Sequence, residues 1–372
     1  MRVTQEGLYR NLTNYIQDHI EGIDKLNEQI SSGKKILNLS DAPIETSQLV
    51  EIKKRLKHLE QYNKDITRAD AWVKTTDSTL SNVNDITQKL QVIAEQGSTE
   101  TYNYNNRLAL SNSVDAMSEE LMQNINTDIN GDYIFSGFKT NQKPFKENIE
   151  SSDANYTIDG YNHSFDIDIK IEMLDSDKYK FSVDGGESWL SGEDGSGYKI
   201  NSVNPLLGFT ITSSGAAAGD TVDLSVSHEY QGDNGEFKIE TNKDNHVQIN
   251  ISGKEAYTDS DDTNIFKING KLWAGLVTNN RDMIAEQLAK LNKFEKHNLQ
   301  LLAKTGSVTN RLDIIKNNFL LKDKENYTKS MSDLEDVDLT DAMSKLALQQ
   351  TVFQATLKTT AMISNLTLVN FL

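Results

Sequence analysis

Apolar residues recur in alternating steps of three and four through the N-terminal third of the chain. Tyr9, Leu12, Ile16, His19, Ile23, Leu26, Ile30 and Gly33 form one such series. A 3.5-residue period is the seam of helices that pair side by side along their length. Gly33, followed by Lys34 and Lys35, predicts a stop with cations near the helix end. In Ser40-Asp41-Ala42-Pro43, Ser40 or Asp41 can cap a new helix whose first turn accepts Pro43. No glycine or further proline then occurs until Gly97. The stripe runs through Leu49, Ile52, Leu56, Leu59, Asn63, Ile66, Ala69, Val73, Thr76, Leu80, Val83, Leu90 and Ile93. A helix of that span is roughly 80 Å long, several times the ordinary length, and predicts a rod. After a turn between Gly97 and Asn105, Leu110, Val114, Met117, Leu121, Ile125 and Ile129 continue the pattern to a break at Asn130-Gly131.

The C-terminal side has the same character. Ile284, Leu288, Leu291, Leu301, Val308, Leu312, Ile315 and Phe319 make a long stripe with an expected interruption at Gly306. Ser332 with Glu335 as a capping box, or alternatively Asp338, then starts a last helix carrying Leu339, Met343, Leu346, Phe353 and Leu357. The final stretch, Leu366 to Leu372, is unusually apolar for a chain end, where segments ordinarily fray into water. Seams this short are not stable alone. The expectation is that residues 1–33 and 338–372 pair with each other and with neighbouring copies, and are frayed in the free monomer.

Between Tyr156 and Gly275 the period changes to two. Phe165–Ile171, Lys178–Val183, Thr221–Val226 and Val247–Ile251 alternate apolar with polar residues, with turn signals at Asp159-Gly160, Asp184-Gly185-Gly186 and Asp233-Asn234-Gly235. This predicts an antiparallel sandwich or barrel-like unit of about 120 residues. The fold class is therefore α+β: a long coiled-coil-like helical rod built from both termini, with an inserted antiparallel β domain. The expected boundaries are 1–40 and 332–372 for the terminal helices, 41–148 and 277–331 for the rod, and 149–276 for the β insert.

Charge sharpens this division. The 372 residues carry 38 basic and 55 acidic side chains, net −17, but residues 150–275 hold 23 acidic and 9 basic of them and 14 of the 21 glycines. The assembling ends are nearly neutral, as surfaces that pack against copies of themselves should be. An acidic chain lacks the basic footprint of a nucleic-acid binder. The absence of cysteine excludes disulfides, thiolate metal sites and a cysteine nucleophile. No apolar run of 18 residues predicts a membrane span, and Met1–Gly7 lacks a secretory h-region, so export would use another route.

Candidate chemistry is sparse. The six histidines, His19, His58, His163, His228, His246 and His297, show no metal-ligand spacing. Asp259–Asn264 begins like a calcium loop but lacks the turn glycine and the closing glutamate. No phosphate loop or nucleophile elbow is present. Asp166 and Asp168 share a strand face that alternation places in solvent, while Trp189 and Trp273 fit core packing better than a sugar platform. No catalytic, cofactor or metal residue is assigned. The polar His19, Asn63, Gln349 and Gln350, on or near apolar stripes, are candidates for setting helix register.

Several segments resemble one known family. Met1-Arg2-Val3-Thr4, Ile30–Ile36, Ser40–Pro43, Tyr62-Asn63 and Ala71-Trp72 are similar to the start of the hook-associated protein 3 family, the hook–filament junction proteins of the flagellin superfamily. The most specific segment is Asn130-Gly131-Asp132-Tyr133-Ile134-Phe135-Ser136-Gly137 with Lys143-Pro144-Phe145, followed at the C-terminal side by Asn310-Arg311-Leu312, Leu334–Asp338, Gln349-Gln350, Ala355–Leu357 and Asn365–Leu372. Ala42 departs from the acidic residue usual there. The resemblance covers roughly residues 1–148 and 277–372 and leaves the β insert unmatched. It implies a structural, non-enzymatic component of the bacterial flagellum, exported through the type III apparatus without a cleaved signal. It further implies a homo-oligomeric ring, contacts with adjacent hook-associated and filament subunits, and an export chaperone on the C-terminal helix. Neither nucleic acid nor membrane insertion is expected. The residues placed at the assembly interface are Tyr9, Leu12, Ile16, His19, Ile23, Leu26, Ile30, Leu346, Gln350, Phe353, Leu357, Leu366, Leu368 and Phe371. A filament flagellin, and more distantly a surface fibre or adhesin, are the alternatives.

Overall fold

The computed structural model describes residues 5–38, 40, 42–153, 156–159, 161–174, 178–193, 199–200, 210–213, 218–242 and 245–369. Eight α-helices and twelve short strands are found among them. The chain separates into two compact units, Met1–Asn63 with Lys316–Leu372, and Lys64–Ile315.

The first unit is entirely helical. Helix α1 (Gln5–Ser32) packs along α8 (Leu339–Val369). The pair is antiparallel, because Gly33 at the end of α1 meets Val337 just before α8, while His19 meets Gln349 farther on. Gly33 takes the left-handed conformation expected of a helix stop. The first part of α2 (Pro43–Ser98) and α7 (Leu321–Glu335) complete the unit. Arg55 on α2 donates to the Tyr327 hydroxyl of α7 at 3.0 Å. Of the two predicted starts for the last helix, Asp338 is the cap: its Oδ1 accepts from the backbone N–H groups of Thr340 and Asp341. Ser332 lies inside α7, and its hydroxyl donates to Asp336 instead. Of the proposed α2 caps, Asp41 lies outside the described residues.

In the second unit the rest of α2, α3 (Tyr104–Ile125) and α6 (Arg281–Ile314) carry the predicted stripes into a common core. Ile66, Ala69, Val73, Leu80, Val83 and Leu90 are buried on α2, Val114, Leu121 and Ile125 on α3, and Ile284, Leu291 and Leu301 on α6. At the predicted break, Asn130 and Gly131 both take positive φ and close a two-residue hairpin between β1 (Asp128–Ile129) and β2 (Asp132–Tyr133). The expected interruption at Gly306 is absent. Helix α6 runs through it, and the irregularity comes later, as a π-helical segment at Ile315–Leu320. One π turn holds five residues instead of four. Leu320 is therefore the buried side chain, at 5% exposure, while the predicted Phe319 is 57% exposed.

The middle region is antiparallel throughout its described strands. Strands β3 (Phe145–Ser151), β5 (Ile167–Met173), β6 (Lys178–Ser182), β7 (Leu190–Glu193) and β10 (Thr221–Tyr230) form a five-stranded sheet ordered β3-β10-β5-β6-β7. A second sheet is ordered β4 (Tyr156–Asp159), β9 (Thr210–Ser213), β8 (Lys199–Ile200). A hairpin of β11 (Lys238–Asn242) and β12 (Asn245–Gln248) stands apart from both. Alternation along β5 and β10 buries Ile167, Ile169 and Ile171, and Val222, Leu224 and Val226.

The strand reading fails beyond Gln248, where β12 ends short of the predicted Ile251. Residues 253–257 form the short helix α4, and Ile265–Val277 is the helix α5, capped by Asn264 and buried on nearly every side. Its exposed face is a narrow one, Lys267 and Lys271 four residues apart, and the rest reads as a short, nearly continuous apolar run that a buried strand and a buried helix share. Trp273 lies on α5 against Phe165 and His163, a core position as predicted but in helical context. Gly270 gives the backbone of Asp166 room against α5. Asp166 itself is not solvated: it precedes β5, and its Oδ1 accepts from the backbone N–H of His228 at 2.7 Å. Asp168 is exposed as expected.

Candidate assembly site

The paired terminal helices hold most of the residues predicted at the interface. On α1, Leu12, Ile16, His19, Ile23, Leu26 and Ile30 are all half-buried while most positions between them are exposed. Their 4-3-4-3-4 spacing keeps them on one line along the helix. Tyr9 belongs to α1, but its side chain lies outside the described residues, as do those of Leu366 and Leu368; Phe371 is outside altogether.

On α8 the described seam is Ala342, Leu346, Gln349, Phe353, Thr356 and Thr360. Leu346 and Phe353 lie on this seam, whereas Gln350 and Leu357 are exposed and lie off it. The physical reason is that α8 carries two overlapping 3.5-residue series. One runs Leu339, Met343, Leu346, Gln350, Phe353, Leu357, and the other runs through Ala342, Gln349 and Thr356; they share Leu346 and Phe353. Apolar content favours the first, and the described packing uses the second. Leu339, Met343, Leu348, Val352, Leu357 and Met362 are left exposed on the flanks, Leu348 and Met362 at 65%.

One polar contact lies within the seam. Gln349 Nε2 is 3.0 Å from His19 Nδ1, the amide donating. One turn farther along α1 is Gly22, where a Cβ would stand 2.9 Å from that same Nε2. Gly22 thus provides the notch across which the Gln349 side chain lies.

The base of the helix pair is tied by backbone and charge together. Lys35 N donates to Glu335 O at 2.7 Å, Val337 N donates to Gly33 O at 3.0 Å, and Lys34 bridges Asp336 as an isolated pair of strand-like residues. The Glu335 carboxylate, 10% exposed, receives Lys34 Nζ at 2.8 Å and Lys53 Nζ of α2 at 2.9 Å. The hydrogen bond from Lys34 holds this carboxyl below the ordinary glutamate value, against the opposing effect of burial. Gly22, Ala342, Glu335, Lys34 and Lys53 were absent from the predicted site. Small and charged residues carry no apolar periodicity, and the Lys-Lys pair after Gly33 was legible only as a helix-end signal.

Elsewhere, His163 Nδ1 pairs with Asp115 Oδ1 at 2.6 Å and stacks on Phe165, and His228 pairs with Asp166 and stacks on Phe266. These are buried packing positions. Among the described residues, no group of three His, Asp or Glu side chains could hold a metal ion, and no helix is long and apolar enough to cross a membrane.

Long helices contributed by both chain ends, with a β region between them, define the class of fold. Residues 3–140 match the bacterial flagellin N-terminal helical region and residues 285–372 the bacterial flagellin C-terminal helical region; together they span more than half of the chain, which belongs to the flagellin family. Within that family it is 33% identical over 149 residues to flagellar hook-associated protein 3 of Escherichia coli strain K12, and equally to that of Salmonella typhimurium strain LT2. Each match takes in 40% of this chain and 47% of the relative, so the chain spans about half the length of the curated relatives it matches. A solved structure from Vibrio parahaemolyticus, described as a flagellar hook-associated protein, shares the fold. Its TM-score is 0.54 at 13% identity, over 80% of this chain and 100% of that one.

Proposed function

We propose that this protein is a structural component of the bacterial flagellum that joins hook to filament; its 33%-identical relatives are named flagellar hook-associated protein 3, which supports the placement at the hook. The observation that carries the reading is the uncovered apolar surface of α8, with six large side chains exposed beside a helix that already has one partner. Large apolar side chains gathered on both flanks of one helix, rather than scattered singly, fit a surface that partners cover. Covering each of these residues in an assembly contributes on the order of 1 kcal/mol. Several copies acting together offset the ordering of residues 1–33 and 338–372, so that folding of the ends and assembly proceed as one event.

On this reading the neighbours are further copies in a ring and the adjoining hook-associated and filament subunits. A chaperone covers α8 before export, and the mature protein lies outside the cell, exported without a cleaved signal. The protein acts by geometry and performs no chemistry.

Removal of the last 30 or so residues is the direct test. The shortened chain is expected to remain soluble and to retain the β-sheet signature in circular dichroism, yet fail to add to isolated hooks. Normal addition would overturn the model. Seeding with hooks also separates the filament alternative, because a junction protein adds one band at the distal end whereas a flagellin grows long filaments.

A further inference from the structure

We propose that Gln349, His19 and Gly22 select which face of α8 meets α1, and that this choice keeps the more apolar faces of α8 outward. The proposal deepens the assembly reading above and rests on it for its purpose, though not for its test. Two faces of α8 compete at the same spacing. The face in use contains Ala342, Leu346 and Phe353 but also Gln349, Thr356 and Thr360. The alternative, Leu339, Met343, Leu346, Gln350, Phe353 and Leu357, has five apolar residues in six. At 100° per residue the two faces lie about 60° apart, so a modest roll of α8 exchanges them without unpairing the helices.

Burial of apolar area alone favours the roll. The described packing keeps the more polar face against α1, and the features specific to that face are the hydrogen bond from Gln349 Nε2 to His19 Nδ1 and the notch at Gly22. Rolling α8 would take the Gln349 amide from the ring nitrogen and out of the notch at Gly22, and would offer in its place Gln350, set about 1.5 Å farther along the helix axis. A single polar contact in an apolar seam is the device by which paired helices specify register and partner at some cost in stability. Its consequence here is that Leu339, Met343 and Leu357 remain available to second copies of the chain instead of being consumed within one.

The absence of native cysteine allows a direct test. In the full-length chain, Leu12→Cys is combined with Thr356→Cys, which reports the face in use, or with Leu357→Cys, which reports the rolled face. Intramolecular disulfide is then measured after mild oxidation. The ratio of the two products reads the face even where the pair is only partly formed. In the parent background the Thr356 pair is expected to dominate by about fivefold, the bias of roughly one net hydrogen bond. Gln349→Leu and Gly22→Leu should each bring the ratio to unity or reverse it, while Thr351→Leu, exposed and off both faces, should leave it unchanged. An unchanged ratio in both seam variants overturns the proposal, and so does dominance of the Leu357 pair in the parent. Loss of both products in the seam variants would mean that the contact holds the pair together rather than choosing its face, and also overturns it. Because the product is intramolecular, the outcome stands whether or not the chain joins hooks.

Discussion

Arg107 shows how one side chain can finish an element that ends inside the protein. Helix α2 terminates at Ser98, where its last carbonyls lack helical donors and carry the negative end of the helix dipole. Arg107, buried at the start of α3, donates from Nε to Gly97 O and from Nη2 to Thr99 O, both at 2.7 Å, and from Nη1 to Asn279 Oδ1. Burial lowers its pKa, and the planar guanidinium is the side chain able to serve three acceptors at once. Arg107→Ala leaves the buried Gly97 carbonyl and the partly buried Thr99 carbonyl unpaired and is expected to cost about 2 kcal/mol in chemical denaturation. Lysine at this position should recover only part of that loss, since it cannot span the fork. Nothing in the local sequence Asn105-Asn106-Arg107 distinguishes this arginine from a solvated one, because its acceptors are eight and ten residues upstream and 172 downstream.

Helices, in contrast, were largely legible from their own residues. The stripe from Leu49 to Ile93 is buried or half-buried position by position along α2, because a long amphipathic helix repeats the same instruction many times. Where the reading failed, a neighbour had changed the rule. Burial of all of α5 except Lys267 and Lys271 made it read as an apolar run, and the π-helical segment at Ile315–Leu320 put Leu320 rather than Phe319 in the buried position. The knot at Glu335, where the ends of α1 and α7 meet α2, has a consequence at this scale. A folded-state pKa below the ordinary glutamate value of 4.5 means that the ion pairs contribute stability above that value and lose it as pH falls through the lower one. Amide protection at Lys35 and Val337, measured by hydrogen exchange from about pH 6 to pH 3 and corrected for intrinsic rates, should therefore fall in the acid. In Glu335→Gln it should start lower and stay flat. Equal acid sensitivity in the variant would show that another group controls the knot.

At the scale of the molecule, the two units differ in how much they bury. In the first, the buried residues among those described are Thr46, Leu49, Leu320, Glu335 and Ala342, whereas the second contains a continuous core from Leu80 to Leu301 that includes the sheet and α5. Segments with few buried apolar contacts open first. Limited proteolysis of the free chain should accordingly trim both ends and leave a resistant fragment close to residues 64–315. Cleavage first within the five-stranded sheet would contradict this. The acidic surplus of residues 150–275 is separated in sequence from the seams of α1 and α8, so net charge and paired apolar seams are carried by different parts of the chain.

By itself, the sequence determined the class of architecture: helices from both ends, an antiparallel β region between, and a 3.5-residue seam at each terminus. These features are periodic, and periodicity is local information that many residues report together. It also determined the α1 side of the candidate site, where apolar residues occupy a single face. Only the tertiary structure decided which of two overlapping faces α8 turns toward α1, where the π turn falls, that residues 265–277 are helix, and that Glu335 gathers Lys34 and Lys53. Each of those outcomes depends on groups distant in the chain, a hydrogen bond from Gln349 to His19 or a carboxylate between two lysines. A choice between nearly equal local patterns is made by the partner, which no single stretch of sequence contains.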